Sequence, residues 1–188
     1  MEALQMNRVA SIERKTRETD IEVRLDLEGS GIAKVDCDDH FLLHMLESLS
    51  KYSGFDITMK AKGDDEHHLL EDVAIVLGMA MREAIGDQPI QRIASSMVPM
   101  DDALVVVAMD LIDRPYVDIE CPDQLYHHFL RSFAMTSGMT LHVKVVRGFD
   151  EHHIIEATIK ALGRALSKAV AQRENLLSTK SKPKVRKS

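Results

Sequence analysis

The chain has 188 residues, 45% of them hydrophobic, with a formal net charge of −6, 9 histidines, 2 cysteines and no tryptophan. That composition supports a sizeable core and excludes a chain disordered throughout. The body is mildly acidic and the basic excess lies after Ala171, which argues against a nucleic-acid partner.

No apolar run approaches the roughly 20 residues needed to span a bilayer, so no membrane partner is expected. The start of the chain is polar, and Cys37 and Cys121 are neither spaced as a metal-ligand pair nor numerous enough for a disulfide framework. A reducing, cytoplasmic setting is the expectation.

In chain order, Thr19 to Leu27 and Ile32 to Cys37 read as two strands joined by a Gly29-Ser30-Gly31 turn. His40 to Lys51 places apolar residues at helical spacing, and Gly54 suits the end of that helix. The alternating segment from Phe55 to Gly63 reads as a strand that runs into a helix opened by His67-His68.

The pattern then recurs. Ala103 to Leu111 and Tyr116 to Glu120 are strands around an Asp113-Arg114-Pro115 turn, Leu125 to Thr136 is a helix ended by Gly138, and Met139 to Gly148 is a strand leading into a helix opened by His152-His153. GDDEHHLLEDVAIVLGMAMREAI from Gly63 lies over GFDEHHIIEATIKALGRALSKAV from Gly148, 85 residues on (63 to 148), without a gap. The expected fold class is therefore α/β (α+β), a duplicated strand-strand-helix-strand-helix unit. It forms two small mixed sheets whose helices pack together between them. The expected division is a first repeat over 1–90, a second over 91–177 and a basic tail over 178–188, read as a solvated end.

The chemistry concentrates in the two copies of His-His-x-x-Glu: His67, His68 and Glu71, then His152, His153 and Glu156. Adjacent residues on a helix diverge by about 100°, so two neighbouring imidazoles do not easily share an ion with the same carboxylate. A His and a Glu three or four residues apart do share a face. Each motif therefore offers one His/Glu pair to one metal and its second His to another, which implies two sites or sites completed by another subunit.

Imidazole nitrogen with carboxylate oxygen suits Mn, Fe, Co or Zn rather than Ca or Mg. Asp65, Glu66, Asp150 and Glu151 are either acceptors that orient the ring nitrogens or acids favoured by the helix dipole. His44, in HFLLHML, and His142, in TLHV, are lone histidines in apolar settings, while His40, His127 and His128 read as surface or helix-end residues. Basic residues available to an anion are dispersed: Arg92, Arg114, Lys160 and Lys180. There is no P-loop, no dinucleotide fingerprint and no nucleophilic triad motif.

From about Arg14 to Lys180 the chain resembles the imidazoleglycerol-phosphate dehydratases. The resemblance lies in ERKTRETDIEV, the HML at His44, GDDEHHLLEDVAIVLG, PMDDAL at Pro99, DRPY at Asp113, RSFA at Arg131, TLHV at Thr140, HHIIEATIKALGRAL and the STK at Ser178. It implies two Mn2+ per active site, with other divalent transition metals compatible with the donors. It also implies sites between subunits in a homo-oligomer built from trimers, octahedral with metal, and a small-molecule phosphate substrate.

Carried over by position, His44, His67, His68, Glu71, His142, His152, His153 and Glu156 are metal ligands, and Glu18 is a carboxylate at the substrate. Arg92, Arg114, Lys160, Ser178 and Lys180 face the phosphate. The implied reaction is loss of water from imidazole glycerol phosphate to give imidazole acetol phosphate, with Glu18 as leading acid/base and Glu156 as a substitute. The chain departs from the family pattern at Leu43, where Asp is usual, in a shorter link between Gly63 and His67, and at Ser181 after the STK. Without the resemblance, the same ligands also fit a non-catalytic His-rich metal-binding assembly protein or a metallohydrolase.

Overall fold

The computed structural model describes residues 8–177, so the tail read over 178–188, with Ser178 and Lys180, lies outside the described residues. The elements run β1 (Val9–Lys15), β2 (Thr19–Asp26), β3 (Ala33–Cys37), α1 (His40–Ser53), β4 (Asp56–Gly63) and α2 (Glu66–Ile85). They then repeat as β5 (Ile93–Met100), β6 (Ala103–Asp110), β7 (Tyr116–Ile119), α3 (Gln124–Ser137), β8 (Thr140–Arg147) and α4 (Glu151–Ala169).

The two sheets have matching orders, β1-β2-β4-β3 and β5-β6-β8-β7. In each, three strands are antiparallel and the last pairs in parallel, β3 with β4 through α1 and β7 with β8 through α3. Alternation sets which face is covered. Ile21, Val23 and Leu25 of β2 and Val105, Val107 and Met109 of β6 are buried, while the residues between them are not. Each buried aliphatic side chain contributes about 1.5–3 kcal/mol, so the covered face of each sheet is fixed once the helices dock.

Helix α2 packs on β1 and β2 and α1 on β3, while α4 packs on β5 and β6 and α3 on β7. The helices meet one another as α1 against α4 and α2 against α3. A two-fold exchange of the halves produces this pairing, and it encloses the helices between the sheets.

Close helix contact depends on two glycines in equivalent places. A Cβ on Gly78 would stand 2.8 Å from the Phe133 carbonyl and 3.1 Å from the Ser137 amide. One on Gly163 would stand 3.1 Å from the Leu49 carbonyl and 3.0 Å from the Ser53 amide. Leu49 and Phe133 are 84 residues apart (49 to 133), as are Ser53 and Ser137 (53 to 137), so the two helix crossings use the same register.

The sequence pattern predicts two strands before the first helix of each half, and the structure has three. The additional strands, β1 and β5, are edge strands with half-exposed patterns. Their alternation is weak because one side faces solvent, and β5 carries Ser95, Ser96 and Pro99, residues that usually mark turns. Pro is tolerated there because an edge strand has a row of amides with no ladder partner.

Candidate metal centre

Each His-His pair opens a helix because an Asp caps it. Asp65 accepts from the His68 amide at 2.8 Å, and Asp150 accepts from the amides of His152 at 2.8 Å and His153 at 3.4 Å. These caps satisfy amides that have no partner in the first turn, and Glu66 and Glu151 add charge the helix dipole favours.

The α1/α4 crossing brings residues of the two halves together. Nε2 of His44 and Nε2 of His152 each stand 3.4 Å from a different oxygen of Glu156. The donor atoms of these three residues all lie within 4.8 Å of one another. Glu156 is 6% exposed, whereas the imidazoles are 47% and 51% exposed. Burial pushes the Glu156 carboxyl upward. The Lys160 ammonium at 2.8 Å, and His44 beside it, outweigh burial and hold it below its ordinary value. An ionised, buried carboxylate flanked by two accessible imidazole nitrogens is a donor set that fits a divalent transition ion.

The α2/α3 crossing holds the equivalent residues. The caps Asp39 and Asp123 are 84 apart (39 to 123), as are the C-terminal Gly54 and Gly138 (54 to 138), so His44 of α1 corresponds to His128 of α3. His67 and Glu71 correspond to His152 and Glu156 at the 85-residue offset (67 to 152, 71 to 156). The His67 and His128 rings are 5.5 Å apart, against 6.3 Å for His44 and His152. Glu71 is half-buried one turn after His67, but among the described residues the second group whose donor atoms lie within 4.8 Å of one another is Asp64, Asp65 and His68, not these three. The sequence pattern marks His128 only as a surface or helix-end residue. Its signal was the matched cap spacing of α1 and α3, which differs by one residue from the offset of the more conspicuous HHxxE segments.

The second histidine of each motif is turned to carboxylates. His68 Nδ1 lies 2.9 Å from Asp64 and 3.1 Å from Asp65. His153 Nδ1 lies 2.6 Å from Asp102, and its Nε2 is 3.4 Å from Asp101. The hydrogen bond to Asp64 raises the His68 pKa above its ordinary value, and that to Asp102 raises His153. Asp102 is held at about 2 by His153 and by the amides of Phe149 and Asp150.

The ion-pair contribution of these histidines is complete below about 6.5, the unfolded value, and is lost as pH rises through their raised folded values. That of Asp102 is present above 3.8 and is lost as pH falls toward about 2. In metal-free protein, an NMR titration is expected to show His68 and His153 titrating above about 6.5, with Asp102→Asn returning His153 toward it. A His153 titration unmoved by that change would contradict the pairing.

The remaining predicted residues are dispersed. His142, on β8, stands 3.7 Å from Asp118 and 5.6 Å from the Tyr116 ring, and joins neither cluster. Glu18 is exposed on the β1–β2 turn, its carbonyl accepting from the Asp64 amide at 2.9 Å and its charge adding to the field at His68. Arg92 pairs with Asp110 at 2.8 Å and donates to the Leu177 carbonyl at 3.0 Å, beside the start of the tail. Arg114 is exposed on the β6–β7 turn. Lys160, read as a phosphate contact, is bound to Glu156 and sits 5.5 Å from the Tyr52 ring.

Residues 37–166 match the family model described as imidazoleglycerol-phosphate dehydratase. The chain is 42% identical over 190 residues to the imidazoleglycerol-phosphate dehydratase of Desulfitobacterium hafniense, covering 92% of this chain and 97% of the relative. It is 47% identical over 176 residues to that of Bacillus licheniformis, covering 86% and 91%. Among solved structures, it is similar to the Pyrococcus furiosus protein with a TM-score of 0.80 at 36% identity, over 89% of this chain and 98% of the other. The Staphylococcus aureus structure gives 0.79 at 28% identity, over 88% and 99%.

Proposed function

The chain belongs to the imidazoleglycerol-phosphate dehydratase family and is a dehydratase, a hydro-lyase, and from that premise we propose a metal-dependent reaction. It removes water from imidazole glycerol phosphate to give imidazole acetol phosphate, in histidine biosynthesis in the cytoplasm, with Mn2+ as the metal. The observation that carries the metal dependence is the convergence of His44, His152 and Glu156 across the two halves, with Glu156 buried and kept ionised.

His44, His152 and Glu156 would hold one ion, and His67, Glu71 and His128 would hold the second in the equivalent crossing. The chemistry such an ion would supply is polarisation of the substrate's imidazole ring, which would ease loss of the neighbouring hydroxyl and acidify the adjacent carbon proton. Glu18, exposed on its turn beside His68, takes that proton as general base. Glu156 is occupied by Lys160 and two imidazoles, which favours a ligand's role for it over proton transfer. Arg92 and Arg114, with Ser178 and Lys180, hold the phosphate and so orient the substrate without touching the reacting carbons.

His68 and His153 turn toward carboxylates, which leaves Nε2 of His68 to complete a site on a neighbouring copy, and that of His153 once it parts from Asp101, 3.4 Å away. We therefore propose sites shared between subunits in a homo-oligomer of trimers, octahedral when metal is bound. An ion that binds only the assembled state must stabilise it, and protons compete with metal for imidazole. Light scattering is expected to show a large particle that a chelator converts to smaller oligomers and that Mn2+ at neutral pH restores. A mass indifferent to chelator would mean that each site closes within one subunit.

A further inference from the structure

The turn that carries Glu18 is held in the two halves by different chemistry. Thr16 Oγ1 accepts from the amides of Glu18 at 3.1 Å and Thr19 at 2.9 Å, and the Thr16 amide donates to the Thr19 carbonyl at 2.9 Å. The Asp64 amide donates to the Glu18 carbonyl at 2.9 Å, tying the turn to the start of α2. Beneath it, Thr19 Oγ1 donates to Asp72 Oδ2, and the same carboxylate oxygen is ion-paired with Arg14 Nη1. Asp72 is 9% exposed and Thr19 is 4% exposed. A carboxylate at the helix–sheet interface thus pins both strands flanking the turn to the helix that carries His67, His68 and Glu71.

In the second half the same places are apolar. Arg14 lies opposite Ile21 in the first sheet as Val98 lies opposite Val105 in the second. At the same 84-residue offset (14 to 98, 19 to 103), Thr19 becomes Ala103, and on the helix Asp72 becomes Ala157 at the 85-residue offset (72 to 157). Val98, Ala103 and Ala157 are all buried. Glu18 becomes Asp102 (18 to 102), and that carboxylate is fully engaged, accepting from the amides of Phe149 and Asp150 and from the His153 ring. Here the turn carboxylate itself bolts the turn to the helix. In the first half a separate triad does so, and no hydrogen bond or ion pair engages the Glu18 carboxylate among the described residues.

The fold therefore closes around apolar residues at these positions. Burying charge there gains little stability over an apolar replacement, because desolvation offsets the attraction. We propose that Arg14, Asp72 and Thr19 are positioning residues that fix the Glu18 turn so its carboxylate is free for, and aimed at, proton transfer; this rests on the reading of Glu18 as general base.

The test transplants the second half's solution into the full-length protein: Arg14→Val, Thr19→Ala and Asp72→Ala together, with Asp72→Asn alone as a near-isosteric second variant. Both are made with Glu18 intact and with Glu18→Gln, and kcat, KM, metal content and thermal midpoint are measured with imidazole glycerol phosphate. With Glu18 intact, kcat is expected to fall about 10- to 100-fold, the cost of a misplaced catalytic group, while KM, metal content and melting barely change. With Glu18→Gln the same substitutions should change kcat less than about twofold, because residues acting through one group are not additive.

Equal losses in both backgrounds, or losses that follow metal content or melting, would make the triad merely structural and overturn the proposal. So would full turnover by both variants while Glu18→Gln alone is inactive. Full turnover by Glu18→Gln itself would remove the general-base reading, and the proposal with it, and is distinguishable because it appears without any change to the triad. If the triple variant does not fold, Asp72→Asn carries the same comparison.

Discussion

Glu156→Gln is expected to lower kcat/KM about 1,000-fold, about 4 kcal/mol of transition-state stabilisation, and to reduce bound metal by one equivalent per chain. Two effects add. The amide no longer offers a charged oxygen to an ion between His44 and His152, whose Nε2 atoms each lie 3.4 Å from the carboxylate. The Lys160 ammonium, 2.8 Å from Glu156 and 14% exposed, then loses its anion and repels the incoming cation. Removing one partner of a buried charged pair is costly where replacing both is not, so Glu156→Gln with Lys160→Met should recover stability without recovering turnover. Elemental analysis beside steady-state kinetics checks this; unchanged metal content in Glu156→Gln would mean the ion sits elsewhere.

Glu18→Gln should lower kcat about 100- to 10,000-fold, the range for loss of a general acid or base, with metal content unchanged. The separation follows from position. Glu18 lies on the β1–β2 turn and joins neither donor cluster, meeting the start of α2 through its carbonyl and the Asp64 amide. A variant that loses turnover and keeps its metal distinguishes a base from a ligand. Near-normal turnover with metal bound would remove Glu18 from the reaction.

Much of the architecture was legible because the chain states it twice. The 85-residue offset between GDDEHH and GFDEHH, with Asp65 and Asp150 as caps, predicts two helices opened by paired histidines, and both are present. The gathering of His44 with His152 and Glu156 was not readable from spacing, because it depends on how α1 crosses α4, and that crossing depends on the close approach at Gly163.

His128 is obscure in the sequence for a related reason: YHHFL reads as an ordinary amphipathic helix until α1 and α3 are aligned by their caps. His142 was raised by resemblance alone, and the structure sets it beside Asp118 and Tyr116. Strands β1 and β5 escaped the periodicity because edge strands bury little. The Asp72 triad left no pattern in sequence, since Arg14, Thr19 and Asp72 are joined only by folding.

The most direct test is the conversion of imidazole glycerol phosphate to imidazole acetol phosphate by protein stripped of metal and then titrated with Mn2+. Turnover should be absent from the stripped, folded protein and return as Mn2+ binds, with Glu156→Gln and Glu71→Gln each blocking the recovery. Full turnover by the stripped protein, or none after Mn2+ has bound, would contradict the assignment of His44, His152 and Glu156 as the centre of the reaction.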